Sequence, residues 1–173
     1  MNIILIGYRG TGKSVVGEIL AHRLGMECVG LDVKIVERVG MPIPRIVEKH
    51  GWPWFRDIET QVTRSLAGRD NLIIDTGGGV IESPQNIPAL EASGPIFWLK
   101  ASVATIIKRI QDDDQRPALT QGNTFTQEVA EVLERRLDKY QAAAQHEIDT
   151  DDLTPDQVAD RIIEIIGSHH GAR

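Results

Sequence analysis

A chain of 173 residues, 41% apolar and 25% charged, has the size and composition of one folded domain and not of a disordered segment. Its formal net charge of −6 argues against a broad electrostatic grip on nucleic acid, and its single cysteine, Cys28, excludes an internal disulfide and fits a reducing compartment. No apolar run approaches the ~20 residues that span a bilayer, and the short run Ile3 to Ile6 has no basic stretch before it, so a soluble cytoplasmic protein with no membrane partner is expected.

Asn2 to Ile6 reads as a buried strand leading into a Gly-rich turn, after which Val16, Ile19, Leu20 and Leu24 recur at helical spacing on one face. Glu27 to Leu31 reads as a second strand, with Cys28 as a small buried hydrophobe. Asp32 to His50 is helical in pattern but interrupted by Pro42 and Pro44, which predicts two short helices. From Trp54 to Arg69, the positions Phe55, Ile58, Val62 and Leu66 make another apolar stripe. Asn71 to Asp75 is a third strand, ending at Gly77, Gly78 and Gly79. Ser83 as cap and Pro84 at the first helical position predict a helix start there. Pro95 to Leu99 is a fourth strand, followed by a helix through Ile106, Ile107 and Ile110. Asp112 to Thr126 is polar and irregular and reads as a mobile loop. Glu128 to Ala144 is helical, and His146 to Asp149 is a short fifth strand. Thr154 opens a last helix with Val158, Ile162 and Ile165 inward, and Gly167 to Arg173 is expected to fray. Short strands alternating with helices predict an α/β domain, a parallel sheet covered on both faces.

Gly7-Tyr8-Arg9-Gly10-Thr11-Gly12-Lys13-Ser14 matches the pattern G-x-x-x-x-G-K-[ST], between a buried strand and an amphipathic helix. The residue types have separable reasons. Glycines let successive backbone N–H groups turn inward around phosphates, and the helix N-terminus adds unsatisfied donors and a partial positive charge. Gly10, Thr11, Gly12, Lys13, Ser14 and Val15 are therefore expected to bind a nucleoside triphosphate, with Lys13 neutralising the β and γ oxygens and Ser14 ligating Mg²⁺. The loop alone does not choose between ATPase, GTPase and kinase. No N-K-x-D guanine pattern occurs, and the small size favours a small-molecule kinase.

Ligands of open α/β sheets bind outside the carboxyl ends of the strands. Asp32, the glycines 77–79 and the phosphate loop all fall there. In order and spacing the phosphate loop, Asp32 with Ile35-Val36-Glu37-Arg38-Val39-Gly40, Phe55-Arg56-Asp57-Ile58-Glu59, Gly77-Gly78-Gly79-Val80, Arg116-Pro117-Ala118-Leu119, and Arg136 with Tyr140 resemble shikimate kinases. The resemblance covers nearly the whole chain. It implies a three-layer α/β/α fold of the P-loop kinase type, with a five-stranded parallel sheet in the order 2-3-1-4-5. It also implies one kinase domain over residues 1–173, with a substrate-binding region at about 32–60 and a mobile lid at about 112–126. The implied reaction is ATP-dependent phosphorylation of the 3-hydroxyl of shikimate, in aromatic amino-acid (chorismate) biosynthesis, with Mg²⁺ as cofactor; a monomer is expected because no unmatched apolar stripe is evident. Lys13, Asp32 and Arg116 would be catalytic, and Asp32 would hold the substrate hydroxyls and help remove a proton. Arg56 and Arg136 would grip the carboxylate, a task that suits planar, permanently charged forks. Gly77, Gly78 and Gly79 would line the substrate, with the Gly78 N–H as donor, and Arg116 would swing in with the lid.

Three departures bear on the site. The family usually has Asp-x-Asp after the second strand, and here its first position is Gly30, which leaves Ser14 as the evident metal ligand and Asp75 as a candidate substitute. Asp138 stands where the family often has proline, and at i+2 from Arg136 it should face elsewhere on the helix. Asp151 and Asp152 fall where a basic residue near the adenine is usual, so Lys108 or Arg109 is expected to hold the base. Glu59 either orients Arg56 or is solvated, and Trp52 and Trp54 either wall the substrate or simply pack. Asp112, Asp113 and Asp114 read as a solvated run. The alternatives to a shikimate kinase are a kinase of another hydroxylated acid, quinate or gluconate, and a weakened ATP-binding regulatory module.

Overall fold

The computed structural model describes residues 1–110 and 124–170. The elements run β1 (Ile3–Ile6), α1 (Lys13–Leu24), β2 (Glu27–Gly30), α2 (Leu31–Val39), α3 (Ile43–His50), α4 (Trp52–Ala67) and β3 (Leu72–Asp75). A 3-10 turn (Val80–Glu82) follows, then α5 (Asn86–Ser93), β4 (Ile96–Lys100), α6 (Val103–Ile110), α7 (Phe125–Ala143), β5 (His146–Asp149) and α8 (Pro155–His170). All five strands are parallel and ordered β2-β3-β1-β4-β5, as the resemblance implied.

Every residue of β1 is buried, because the central strand of a doubly covered sheet has no solvent face. The two-residue period of the strand sends Ile3 and Leu5 to one layer and Ile4 and Ile6 to the other. The first layer is closed by Val16 and Leu20 of α1 and by Val158, Ala159 and Ile162 of α8. The second is closed by α2, α3, α4, α5 and the end of α7, through Ile35, Ile46, Phe55, Val62, Leu90 and Tyr140. Asn2 pins the start of the sheet: its side-chain Nδ2 donates to Arg69 O at 2.7 Å and its Oδ1 accepts from Leu72 N at 2.9 Å. Leu5 pairs with Asp75 and Asp75 with Gly30, so three strands end level at their carboxyl edge. Among the described residues, no helix is long and apolar enough to cross a membrane.

Four local expectations need correction. The helix expected at Ser83 and Pro84 begins at Asn86, because Ser83 O and Pro84 O accept from Asn86 N and Ile87 N and fold those two residues into a turn. The buried Asn86 side chain then donates to Val80 O at 2.9 Å and ties α5 to the 3-10 turn. The helix α7 begins at Phe125 and not at Glu128, since Thr124 and Gln127 form a capping box that takes Thr126 out of the expected loop. Cys28 is half-buried, its sulfur 2.8 Å from where a Cβ on Gly17 would lie, and burial pushes its thiol up to about 12. The tail expected to fray from Gly167 stays helical to His170.

Candidate active site

The phosphate loop leaves β1 at Gly7 and enters α1 at Lys13. Gly10 and Gly12 have φ of 80° and 94°, the left-handed region that lets the chain double back without a side chain. Gly10 is also tight: a Cβ there would lie 2.5 Å from Ile110 Cγ2. Thr11 Oγ1 donates to Tyr8 O at 2.8 Å and closes the loop from within. The buried Lys13 ammonium donates to Gly7 O at 2.8 Å and Tyr8 O at 3.1 Å, which holds it over the loop. Ser14 Oγ donates to Asp75 Oδ2 at 2.5 Å, across from α1 to the end of β3. Gly10, Gly12, Lys13, Ser14, Val15, Asp32, Asp75 and Arg109 line one cavity here, and Gly30 contributes its backbone.

A second cleft adjoins the loop, lined by Gly10, Thr11, Val15, Val16, Arg109, Leu153 and Pro155. Its mostly apolar walls suit the flat face of a base. Arg109 spans the rim, with Nη1 donating to Gly10 O and Thr150 Oγ1, both at 3.2 Å, and Nη2 to Thr150 O at 3.3 Å. Lys108 lines neither cavity, so Arg109 is the basic residue at this cleft. Asp151 does not face it either: its carboxylate accepts from Ser102 N at 2.9 Å, and that backbone hydrogen bond holds its carboxyl below the usual range.

On the other side of the glycines lies a pocket walled by Tyr8, Arg9, Trp52, Phe55, Arg56, Glu59, Gly78, Gly79 and Arg136. Arg56, one turn into α4, donates through Nη1 to Glu59 Oε1 at 2.9 Å, with the Glu59 side chain 1% exposed. The guanidinium lies over Trp52 and Phe55, 5.2 and 5.4 Å from the ring centroids, and against Gly79, where a Cβ would be 2.2 Å from Nη2. Only glycine admits that approach. Arg136, 3% exposed on α7, donates through Nε to Glu82 Oε1 at 3.0 Å, while Lys139 reaches Glu82 Oε2 at 3.4 Å. Tyr140, one turn further, donates its hydroxyl to Gly78 O and stacks on Trp98 at 5.4 Å. Its burial pushes the phenol up to about 12, so it stays a donor. Asp32 lines the loop cavity, its Oδ1 2.8 Å from where a Cβ on Gly77 would sit, and Glu59 Oε2 of this pocket comes within 3.3 Å of the same point.

Burial raises the Glu59 carboxyl above its ordinary value, although the charges of Arg56 and Arg136 pull the other way. Glu82 has the opposite balance. Its partial burial is outweighed by the charge and hydrogen bond of Arg136, with Lys139 and Arg135 behind, and its carboxyl is lowered.

Among the sequence-derived site residues, Gly10, Thr11, Gly12, Lys13, Ser14, Val15, Asp32 and Arg109 gather around the loop. Arg56, Gly78, Gly79 and Arg136 gather in the pocket, with Gly77 beside Asp32. Arg116, most of the expected lid and Asp112, Asp113 and Asp114 lie outside the described residues. Glu59 is the orienting partner of Arg56, not a solvated residue. Trp52 walls the pocket, whereas Trp54 stacks on His50 at a centroid distance of 4.1 Å and packs. Asp138 is exposed and outside the pocket, as its helical position required. Sequence reasoning missed Glu82 as the partner of Arg136, which is 54 positions away with no pattern linking the two. It also missed Tyr8 and Arg9, which sit at variable positions of the loop motif yet line the pocket of Arg56 and Arg136.

Residues 9–167 match the family model described as shikimate kinase. A shikimate kinase from Caldicellulosiruptor bescii is 38% identical over 164 residues, 95% of this chain and 94% of that protein. One from Thermodesulfovibrio yellowstonii is 39% identical over 163 residues, covering 94% of this chain and 93% of that one. The solved structure of shikimate kinase from Acinetobacter baumannii in complex with shikimate superposes with a TM-score of 0.92 at 34% identity, covering 97% of this chain and 93% of that one.

Proposed function

The chain belongs to the shikimate kinase family, and from that premise we propose that it transfers the γ-phosphoryl group of ATP to the 3-hydroxyl of shikimate, a step toward chorismate and the aromatic amino acids. One observation supports this most: the cavity of the phosphate loop and the pocket holding Arg56 and Arg136 share Arg9, and Asp32 of the first and Glu59 of the second approach the same point beside Gly77. A carboxylated polyol seated on the two arginines would present its hydroxyls toward Asp32 and the loop.

The roles follow from the groups. The backbone from Gly10 to Val15 cradles the phosphates, and Lys13 balances charge as it moves toward the leaving ADP. Arg109 closes the cleft in which the adenine rests. Arg136, held through its Nε by Glu82, presents its guanidinium to the substrate carboxylate, with Arg56 as the second fork. The Gly78 N–H donates to the substrate, and the Gly78 carbonyl is anchored by Tyr140. Asp32 orients the attacking hydroxyl and takes its proton as the new O–P bond forms and the bond from the γ phosphorus to the bridging oxygen breaks. Arg116 is assigned to the transferring phosphoryl group on family resemblance. The hydroxyl of Ser14 and the carboxylates lining the loop cavity form an all-oxygen donor set that fits Mg²⁺, with Ser14 as the direct protein ligand. When bound, the ion supplies charge neutralisation across the β and γ phosphates. We further infer a single kinase domain over residues 1–173, with its substrate-binding region at 32–60, acting as a cytoplasmic monomer.

ADP release from ATP and Mg²⁺ with shikimate, quinate, gluconate or no acceptor tests the proposal. Turnover on shikimate well above the other three is the expected result. Faster phosphorylation of an acceptor lacking a carboxyl group would overturn the assignment. ATP binding with no acceptor-dependent ADP release would point instead to a regulatory module.

A further inference from the structure

Two carboxylates border the loop cavity, and they are placed differently. Asp75 accepts the Ser14 hydroxyl at 2.5 Å, while Asp32 has its Oδ1 2.8 Å from where a Cβ on Gly77 would lie, a point that Glu59 Oε2 of the acceptor pocket approaches to 3.3 Å. A hydroxyl has one proton and two lone pairs. Because the Ser14 proton is committed to Asp75, its oxygen meets the cavity as an acceptor, the orientation a hard cation needs. Asp75 also ends β3 level with Leu5 on one side and Gly30 on the other, so β2 offers no side chain at that level. The carboxylate therefore comes from the strand adjacent to the phosphate loop.

Resting on the nucleotide-binding half of the reading above, we propose that Asp75 is the carboxylate that secures the metal of the bound nucleotide in this chain, by orienting Ser14 and accepting from the ion's water shell, and that Asp32 is thereby left to the acceptor. Asp75 is a positioning residue in this role, acting through Ser14 and water. The division separates two tasks that conflict in one group. A carboxylate held by a divalent cation is a poor acceptor for the proton of a substrate hydroxyl, whereas a second carboxylate that does not hold the ion can take that proton.

The test uses Mn²⁺ as a paramagnetic stand-in for Mg²⁺, titrated by electron paramagnetic resonance into the whole chain loaded with ATP. The isosteric Asp75→Asn keeps the side-chain shape and removes the charge. It is expected to weaken Mn²⁺ binding about tenfold, the lower end of what loss of an outer-shell partner costs. With EDTA present, the same variant should bind ATP several-fold more tightly than the wild type, because a negative group no longer faces the phosphates. A merely structural role would not reverse the order in that way. Gly30→Asp added to Asp75→Asn should restore most of the Mn²⁺ affinity. Gly30 has φ of −80°, and a Cβ there would meet only Val33, 3.3 Å away at Cγ2. Should Asp75→Asn fail to fold, Asp75→Ser carries the same comparison.

Unchanged Mn²⁺ affinity in the Asp75 variant overturns the proposal, and so does an equal loss of ATP binding with and without metal. Wild-type turnover is scored separately. No turnover on shikimate beside a tenfold Mn²⁺ effect defeats the shikimate reading and supports Asp75. Turnover on shikimate with identical Mn²⁺ affinities defeats Asp75 alone.

Discussion

On the nucleotide side of the crevice, recognition is built from the backbone of one loop, Gly7 to Ser14, plus the side chain of Lys13. On the acceptor side it is built from two arginines on α4 and α7, each fixed by a glutamate, Glu59 from the same helix and Glu82 from the turn after β3. The first half needs only that one strand, one turn and one helix follow in order, and its glycines ensure that. The second needs elements from three parts of the chain to arrive together with their charges matched. Removing a functional side chain from the loop should therefore cost chemistry and leave the fold intact, whereas removing one from the dispersed site should cost both.

The largest effect is expected at Lys13. Lys13→Ala should lower kcat on shikimate by about a thousandfold or more, the scale of losing a charge aimed at the transferring phosphate, with little change in thermal midpoint. A marked drop in that midpoint would break the contrast. Next comes Arg136→Ala. It should raise the KM for shikimate by roughly a hundredfold, equal to about 2.7 kcal/mol of binding. It should also destabilise the fold by about 2 kcal/mol, since Glu82 loses its buried partner and Glu59 a neighbouring positive charge. Steady-state kinetics and urea unfolding on one preparation measure both. A KM effect without a stability effect would show that the acceptor side is as forgiving as the loop.

That difference in construction also explains what could be read from sequence. The loop, the five strands and their order were legible, because apolar runs and glycine spacing are local signals, and the order came with the family resemblance. Arg56 and Arg136 were legible only as members of a spaced set. Glu82 was not, since its pairing depends on where α7 crosses the turn after Gly79. The two starts that sequence misplaced, those of α5 and α7, were set by the turn bonds to Ser83 O and Pro84 O and by the capping box of Thr124 and Gln127, local hydrogen bonds that the periodicity of apolar residues does not register.

A pair of glycines sharpens the comparison with smaller effects. Gly79 has ordinary backbone angles, φ −99°, but a methyl there would lie 2.2–2.5 Å from the Arg56 guanidinium. Because the far end of Arg56 can move, Gly79→Ala should raise the KM for shikimate by about tenfold, or 1.4 kcal/mol, while stability hardly changes. Gly12 is the reverse case: a Cβ would meet nothing within 4 Å, but φ is 94°. Gly12→Ala should cost about 1 kcal/mol of stability and raise the KM for ATP, leaving the KM for shikimate near its original value. If both variants shifted the same substrate constant, the two halves would not be separable.

The smallest expected effect lies within the acceptor side, where the two glutamates should respond to pH in opposite senses. Glu59 is raised in the folded chain, so between the usual glutamate value and its raised one the native state holds more protons than the unfolded state. Its contribution to stability therefore falls as pH rises through that window. Glu82 is lowered, so its contribution is present above the usual glutamate value and is lost as pH falls through the lower folded one. Urea unfolding of the wild type, Glu59→Gln and Glu82→Gln across the acid range separates them. The stability of Glu59→Gln relative to wild type should climb with pH, and that of Glu82→Gln should decline. Two slopes of the same sign would mean that Arg56 and Arg136 act on both carboxylates as one shared cluster. Opposite slopes would mean that Glu59 is governed by its burial and Glu82 by the charge it faces, although Arg136 acts on both.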